Sequence, residues 1–159
     1  MVQIRPATLA DVPSMMFLEQ ESATAAHWTE EQYRQALQPD GTQRLVLVVE
    51  ESLPTAAHPE AATGILGFLV AHHIAPEWEL ENIVVAGAAR RKGLGKCLLE
   101  RLLSAARETD SLSVFLEVRE SNSAAQTLYE KAAFERTGRR ESYYANPPEA
   151  AVLYRRPLP

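Results

Sequence analysis

A chain of 159 residues with 46% hydrophobic and 23% charged residues has ordinary globular composition and reads as one compact domain over residues 1–159, able to bury roughly 70% of its unfolded surface. Its formal charge of −5 argues against nonspecific nucleic-acid binding and suits a cationic substrate. One cysteine, Cys97, excludes an intrachain disulfide, no apolar run approaches the roughly 18 residues of a membrane span, and no signal-peptide pattern opens the chain, so a reducing, cytoplasmic setting is expected.

In chain order, Val2 to Arg5 is a short strand candidate, and Thr8 to Asp11 resembles a capping box that opens a helix running to about Glu21. Thr29-Glu30-Glu31-Gln32 is a capping box in full and predicts a second helix through Leu37. Arg44 to Glu50 and Ile65 to Ala71 are apolar, β-branched strand candidates, separated by a segment from Ser52 to Thr63 rich in Pro, Ala and Thr. That segment is either a tolerated insertion or a substrate-side flap, and no function is assigned to it. Trp78 to Val85 is the next strand.

A turn from Ala86 to Lys92 then leads into a helix from about Gly93 to Arg107, in which Leu94, Leu98, Leu99, Leu102, Leu103 and Ala106 repeat at three and four residues and mark one buried face. Ser113 to Val118 reads as a strand, and Ser121-Asn122-Ser123 caps a helix through about Lys131. From Phe134 the chain returns to extended structure ending near Val152 to Tyr154. Mixed strands and helices without internal repeats indicate a layered α/β or α+β fold.

The stretch Arg90-Arg91-Lys92-Gly93-Leu94-Gly95-Lys96 holds four cations and two glycines at the junction of a strand and a helix. A helix N-terminus presents unpaired backbone N–H groups and partial positive charge, so a glycine-rich entry suits a phosphate. The spacing fits neither GxxxxGK[ST] nor GxGxxG. On these residues alone the turn is either a phosphate seat or a solvated basic loop.

The run Arg90-x-x-Gly93-x-Gly95 after an Ile-Val-Val strand resembles the pyrophosphate loop of the GCN5-related N-acetyltransferases. Asn82-Ile83-Val84-Val85, Leu116-Glu117-Val118-Arg119-x-x-Asn122 and Leu128-Tyr129-Glu130-Lys131 are similar to the branch of that family that acetylates the N-terminal alanine of a ribosomal protein. Looser likeness extends to Trp28-Thr29-Glu30 and to Tyr143-Tyr144.

The resemblance implies a mostly antiparallel, twisted sheet flanked by helices and splayed between the fourth and fifth strands. It implies acetyl-CoA as co-substrate, no metal, and a protein N-terminal peptide as acceptor, most closely the alanine terminus of small-subunit ribosomal protein eighteen. Ile83, Val84 and Val85 would run beside the pantetheine arm, Arg91, Lys92, Gly93, Leu94, Gly95 and Lys96 would cradle the pyrophosphate, and Asn122 would add a contact. Glu117 would serve as general base and Tyr129 as general acid. Ala86-Gly87 departs from the family's frequent Asp-Pro, and Ala133 from its usual Gly.

Other readings of these residues stay open. Without the resemblance, Glu117 is a paired or edge-exposed carboxylate and Tyr129 a packing residue. Glu81 is a rival base: strict alternation puts Glu77, Glu79 and Glu81 on one strand face, where they form either a site or a solvated acidic rim, and a bulge would change that facing. Cys97 reads as a small buried or partly buried residue rather than a nucleophile. His27, His58, His72 and His73 lack metal-ligand spacing. Tyr143 and Tyr144 are either aromatic packing or part of the peptide-binding mouth, and Arg139 and Arg140 read as solvated.

Overall fold

The computed structural model describes residues 2–22, 25–38, 43–52, 64–145 and 147–159. Within them, seven strands form one sheet in the order β1-β2-β3-β4-β5-β7-β6. The strands are β1 (Val2–Pro6), β2 (Arg44–Glu51), β3 (Gly64–Ile74), β4 (Glu77–Val85), β5 (Ser113–Arg119), β6 (Glu135–Ala145) and β7 (Pro148–Pro157). All neighbours are antiparallel except β4 and β5, which run parallel. This is the expected fold class. From residue 53 on, the Ser52 to Thr63 segment lies outside the described residues.

Four helices accompany the sheet among the described residues: α1 (Val12–Gln20), α2 (Glu30–Ala36), α3 (Leu94–Glu108) and α4 (Ser123–Lys131). The first helical segment begins one turn earlier as a 3-10 turn over Leu9–Asp11, because Pro13 sits at the start of α1 and Asp11 turns back to accept from the Thr8 N–H at 2.8 Å. The Asp11 carboxylate also takes two bonds from the Arg5 guanidinium, at 2.8 and 2.9 Å, fastening β1 to this turn. Thr29 caps α2 as expected, its hydroxyl accepting from the Gln32 N–H while the Gln32 side chain accepts from the Thr29 N–H. A cap of this kind is worth about 1 kcal/mol.

Two apolar layers sandwich the sheet. On one face Leu98, Leu99, Leu102, Leu103 and Ala106 of α3 pack with Trp78, Leu80, Val114, Leu116, Val118, Val152 and Tyr154. On the other, Val12, Met15 and Leu18 of α1 and Tyr33 and Ala36 of α2 pack on Val46, Val48, Phe68, Val70 and Val84. The three-and-four periodicity of α3 is thus the imprint of the first layer. Beyond Phe134 the extended region is a hairpin of two long strands reaching Pro157, past the Val152 to Tyr154 end read from sequence.

A register change in β4 prepares the site. Val70 pairs with Asn82 and Ala71 with Leu80, leaving Glu81 as an extra residue opposite no partner. Such a bulge reverses the facing of the strand residues beyond it. Trp78 and Leu80 therefore lie on the α3 side, whereas Val84 lies on the α1 and α2 side and Ile83 packs toward α3. The parallel pairing of β4 with β5 covers only Glu77–Leu80 against Ser113–Leu116. It ends at the bulge, while β5 stays paired with β7 through Arg119. The two central strands therefore part between Glu81 and Val85.

Candidate active site

The gap between β4 and β5 opens into a cleft lined by Glu81, Asn82, Ile83, Glu117, Arg119, Asn122, Tyr129 and Tyr144, together with Ser22, Ala25 and Ala26 from the α1–α2 connector. Because Val114, Leu116 and Val118 face α3, alternation turns Glu117 to the opposite face of the sheet. Tyr129 belongs to the α3-side layer, its ring centroid 5.9 Å from Phe134 and 6.1 Å from Tyr154. The cleft thus gathers a carboxylate from one side of the sheet and a phenol from the other, both lining the gap that the splay leaves. Glu117, Tyr129, Ile83 and Asn122 all line this one cleft.

The Glu117 carboxylate is 18% exposed and has two neighbours on the β6–β7 hairpin. Arg140 Nη1 lies 3.3 Å from Glu117 Oε1, and the Tyr143 hydroxyl donates to the same carboxylate. This bond, with some burial, pushes the Tyr143 hydroxyl up to about 12. Arg140 is therefore not simply solvated. Residues 141–143 form an irregularity between the pairs Arg140↔Ala151 and Tyr144↔Glu149, and Arg140, just before it, borders a second groove that Glu117 also lines. Tyr144 supports the arrangement beneath, stacked under the buried Arg119 guanidinium at 4.3 Å. Arg119 in turn lies 3.3 Å from Glu149, and Glu149 accepts from the Ser121 N–H at 2.6 Å.

Tyr129 is 4% exposed. Burial, with a smaller contribution from nearby Tyr144, holds its hydroxyl above the ordinary tyrosine value, so it stays a proton donor at every physiological pH. Among the described residues it makes no hydrogen bond that would compete for that proton.

The β4 carboxylates do not form a solvated rim. Glu81 is bound by Arg44 Nη1 at 2.9 and 3.2 Å, with His72 Nδ1 at 3.9 Å. Burial nevertheless raises its carboxyl, outweighing Arg44. Glu79 is raised as well, first by burial and then by the charges of Glu81 and Glu117. Glu77 pairs with Arg155 and Ser113. Each of these groups is thus paired with a cation or held in a partly buried setting rather than freely solvated.

Beyond the splay, β4 runs into the basic turn. Gly93 adopts φ +78°, a left-handed conformation that a side chain would strain, and N-caps α3. Arg91 is also left-handed, at φ 65°. The Arg90 Nε donates to the Val85 carbonyl at 3.2 Å, tying the turn to the end of β4. Arg91, Lys92 and Lys96 are exposed around the first turn of α3, and the nearest carboxylate to Lys96 is Glu100 at 4.0 Å. A Cβ on Gly95 would come within 3.1 Å of Leu128 Cδ2 and 3.9 Å of Val85 Cγ2, so glycine lets α3 enter close against β4 and α4. The donor set, backbone N–H groups at a helix start ringed by cations, fits a pyrophosphate. Ile83 lines the cleft, but the Val84 side chain is buried in the α1 and α2 layer, which leaves only its backbone for a ligand. Asn122 caps α4, its Oδ1 accepting from the Ala125 N–H at 3.1 Å.

Cys97 differs from its sequence reading: it is exposed on α3, because it falls between the Leu94 and Leu98 positions that define the buried stripe. Sequence reasoning also passed over Arg44, Glu19, Arg119 and Arg140. Arg119 sits in the block Glu117-Val118-Arg119, whose alternation with Glu117 was the available signal. The others pair across distances of 37, 63 and 23 residues in sequence, for Arg44–Glu81, Glu19–Asn82 and Glu117–Arg140, and leave no local pattern. No helix among the described residues is long and apolar enough to cross a membrane.

Comparison with known proteins gives this geometry a family. The chain is 39% identical over 83 residues to the ribosomal protein bS18-alanine N-acetyltransferase of Haemophilus influenzae, covering 52% of this chain and 56% of that protein. It is 36% identical over 93 residues to the Salmonella typhimurium protein of the same name, covering 57% and 63%. The chain thus spans less than two thirds of the length of either curated relative. The crystal structure of the ribosomal-protein-S18-alanine N-acetyltransferase from Escherichia coli superposes with a TM-score of 0.77 at 26% identity, over 99% of this chain and 94% of that one. Residues 13–134, well over half of the sequence, match the acetyltransferase (GNAT) family, and the chain belongs to that family.

Proposed function

We propose that the protein transfers the acetyl group of acetyl-CoA to the N-terminal α-amine of a protein, with the N-terminal alanine of small-subunit ribosomal protein eighteen as the acceptor. The observation that carries this reading is the convergence of Glu117 and Tyr129 from opposite sheet faces on the gap between β4 and β5. The similarity to alanine N-acetyltransferases supports the choice of acceptor.

In this reading the backbone N–H groups from Gly93 to Lys96, with Arg91 and Lys92, hold the pyrophosphate of acetyl-CoA. The open edge of β4 at Ile83, Val84 and Val85 guides its pantetheine arm toward the cleft, and Asn122 contributes its remaining amide. The acceptor amine enters from the other face, past Tyr144 and the α1–α2 connector.

Only a neutral amine attacks a thioester carbon. The ordinary pKa is about 7.7 to 8.0 for an α-amine and about 10.4 for lysine, so freeing lysine costs roughly 3.4 kcal/mol more. A carboxylate base suits the α-amine. As the new C–N bond forms, Glu117 takes the proton from nitrogen, directly or through one water. As the C–S bond breaks, the Tyr129 hydroxyl gives its proton to the departing sulfur, whose thiol has a pKa of about 8.5. One proton enters at Glu117 and one leaves at Tyr129, so solvent exchange restores both groups.

Glu117→Gln and Tyr129→Phe test the assignment. Each should lower turnover by about 10² to 10⁴ while acetyl-CoA affinity, measured by calorimetry, stays within about twofold. Turnover at the wild-type level in either variant removes that residue from the mechanism.

A further inference from the structure

On the acceptor side of the cleft lies a buried carboxylate that the proposed chemistry does not use. Glu19, in the last turn of α1, is 2% exposed, and none of the ion pairs among the described residues includes it. Its donors are all neutral. Glu19 Oε1 accepts from the Trp28 N–H at 2.9 Å and from Asn82 Nδ2 at 3.0 Å. The Tyr33 hydroxyl accepts from Asn82 Nδ2 at 3.2 Å, and burial with the nearby Glu19 carboxylate raises it above the ordinary tyrosine value. Tyr33 is wholly buried between Trp28 and Phe68, with ring centroids at 5.3 and 5.8 Å.

A buried carboxylate without a cation carries a desolvation penalty that an apolar side chain of similar volume would not. What the arrangement supplies is geometry. Glu19 and Trp28 bracket the α1–α2 connector, from which Ser22, Ala25 and Ala26 line the cleft. Within this connector His27 adopts φ 57°, and one backbone bond runs from the Ala25 N–H to the Ser22 carbonyl at 3.3 Å. The Glu19 bond to the Trp28 N–H draws the two ends of the connector together. Through Asn82, the same carboxylate fixes them to β4 one residue beyond the bulge, where the strands part.

We infer that Glu19 is a positioning residue for the acceptor: it clamps the α1–α2 connector to β4 and so sets the width of the acceptor side of the cleft without touching the reacting atoms. The inference rests on the acetyl-transfer reading and names what holds the acceptor wall of that site. Among the described residues Glu19 makes no contact with the basic turn, so binding of the acetyl-CoA pyrophosphate does not depend on the clamp.

The test is Glu19→Gln in the full chain, with Tyr33→Phe as a second, milder variant that removes the hydroxyl accepting from Asn82 and leaves the Trp28 bond. In Glu19→Gln a carboxylate that accepts several bonds becomes an amide with a single acceptor oxygen and an NH₂ turned toward other donors. KM for an alanine-starting peptide should rise about tenfold, with Tyr33→Phe intermediate and the Kd for acetyl-CoA within twofold of wild type in both. Amide exchange at Ala25, Ala26 and Trp28 should accelerate while β4 and β5 stay protected. A lowered melting temperature with unchanged peptide KM, or equal weakening toward both substrates, would reduce Glu19 to a structural residue and overturn the inference. Wild-type protein that transfers nothing to the peptide overturns the acetyl-transfer reading instead, which separates the two failures.

Discussion

Arg140 and Glu117 form an ion pair at 3.3 Å that joins the β6–β7 hairpin to the carboxylate proposed as base. Arg140 is 57% exposed and Glu117 18%, so the pair is partly screened and worth about 0.2 to 1 kcal/mol. Its effect is on selection. A guanidinium beside Glu117 offsets the negative charge that would otherwise attract an ammonium, and so disfavours lysine side chains relative to α-amines, about half of which are already neutral near pH 8. Arg140→Gln should raise the ratio of lysine to α-amine acetylation by up to about fivefold, the equivalent of 1 kcal/mol. Competition between a lysine-bearing blocked peptide and an alanine-starting peptide, read by mass spectrometry, measures that ratio; a ratio that stays put or falls would show that Arg140 does not filter acceptors.

Tyr129 should leave no mark on the alkaline side of the rate profile. Burial holds its hydroxyl above the ordinary value of about 10, so it remains protonated through pH 10. Turnover of Tyr129→Phe measured from pH 6 to 10 is expected to run below the wild-type curve with the same shape. An alkaline fall below pH 10 present in wild type and absent from Tyr129→Phe would mean that the phenol titrates where its burial says it does not.

Arg44 holds Glu81 at the bulge, and in the proposed mechanism Glu81 is a structural carboxylate rather than the base. Glu81→Gln keeps the side-chain volume and one acceptor for Arg44, so turnover should fall less than about tenfold. A loss comparable to that of Glu117→Gln would transfer the role of base from β5 to β4.

Asp11 offers a test of the fold apart from the chemistry. Arg5 holds its carboxyl below the ordinary range, aided by the Thr8 N–H and opposed by burial. A depressed native pKa means that the unfolded chain binds the proton more readily, so the stabilisation is complete above the unfolded value of about 3.9 and disappears as pH falls through the native one. Asp11→Asn should therefore cost about 1 to 3 kcal/mol at pH 7, and urea unfolding should show the gap to wild type closing below pH 4. A gap that is constant from pH 7 to pH 3 would mean that the loss has another origin.

Much of the fold was legible because its signals are local. The Leu98, Leu99, Leu102, Leu103 and Ala106 stripe, the Thr29 cap and the Asn122 cap each lie within one helix and its entry, and each stands where the sequence puts it. The cleft was legible in part. Glu117, Tyr129, Ile83 and Asn122 were found through motif blocks and do share one cavity. The facing of Asn82 to Val85 was not, because a single extra residue at Glu81 reverses alternation beyond it and nothing in the string of side chains marks the slip. Arg140 looked like a surface cation because its partner, Glu117, lies on β5, two strands away across β7, and only the sheet pairing brings them together. Glu19 lies in an apolar helix face where a carboxylate gives no hint of its partners on α2, β4 and the connector.

The most direct test of the central claim is the site of acetylation on one acceptor peptide that carries both an N-terminal alanine and an internal lysine. After incubation of the purified protein with acetyl-CoA at pH 8, fragment-ion mass spectrometry locates the added group. Acetyl transfer to the alanine α-amine, with the lysine unmodified and the signal lost in Glu117→Gln, is the expected result. Acetyl on lysine, or the same α-amine product from Glu117→Gln at the wild-type rate, would contradict it.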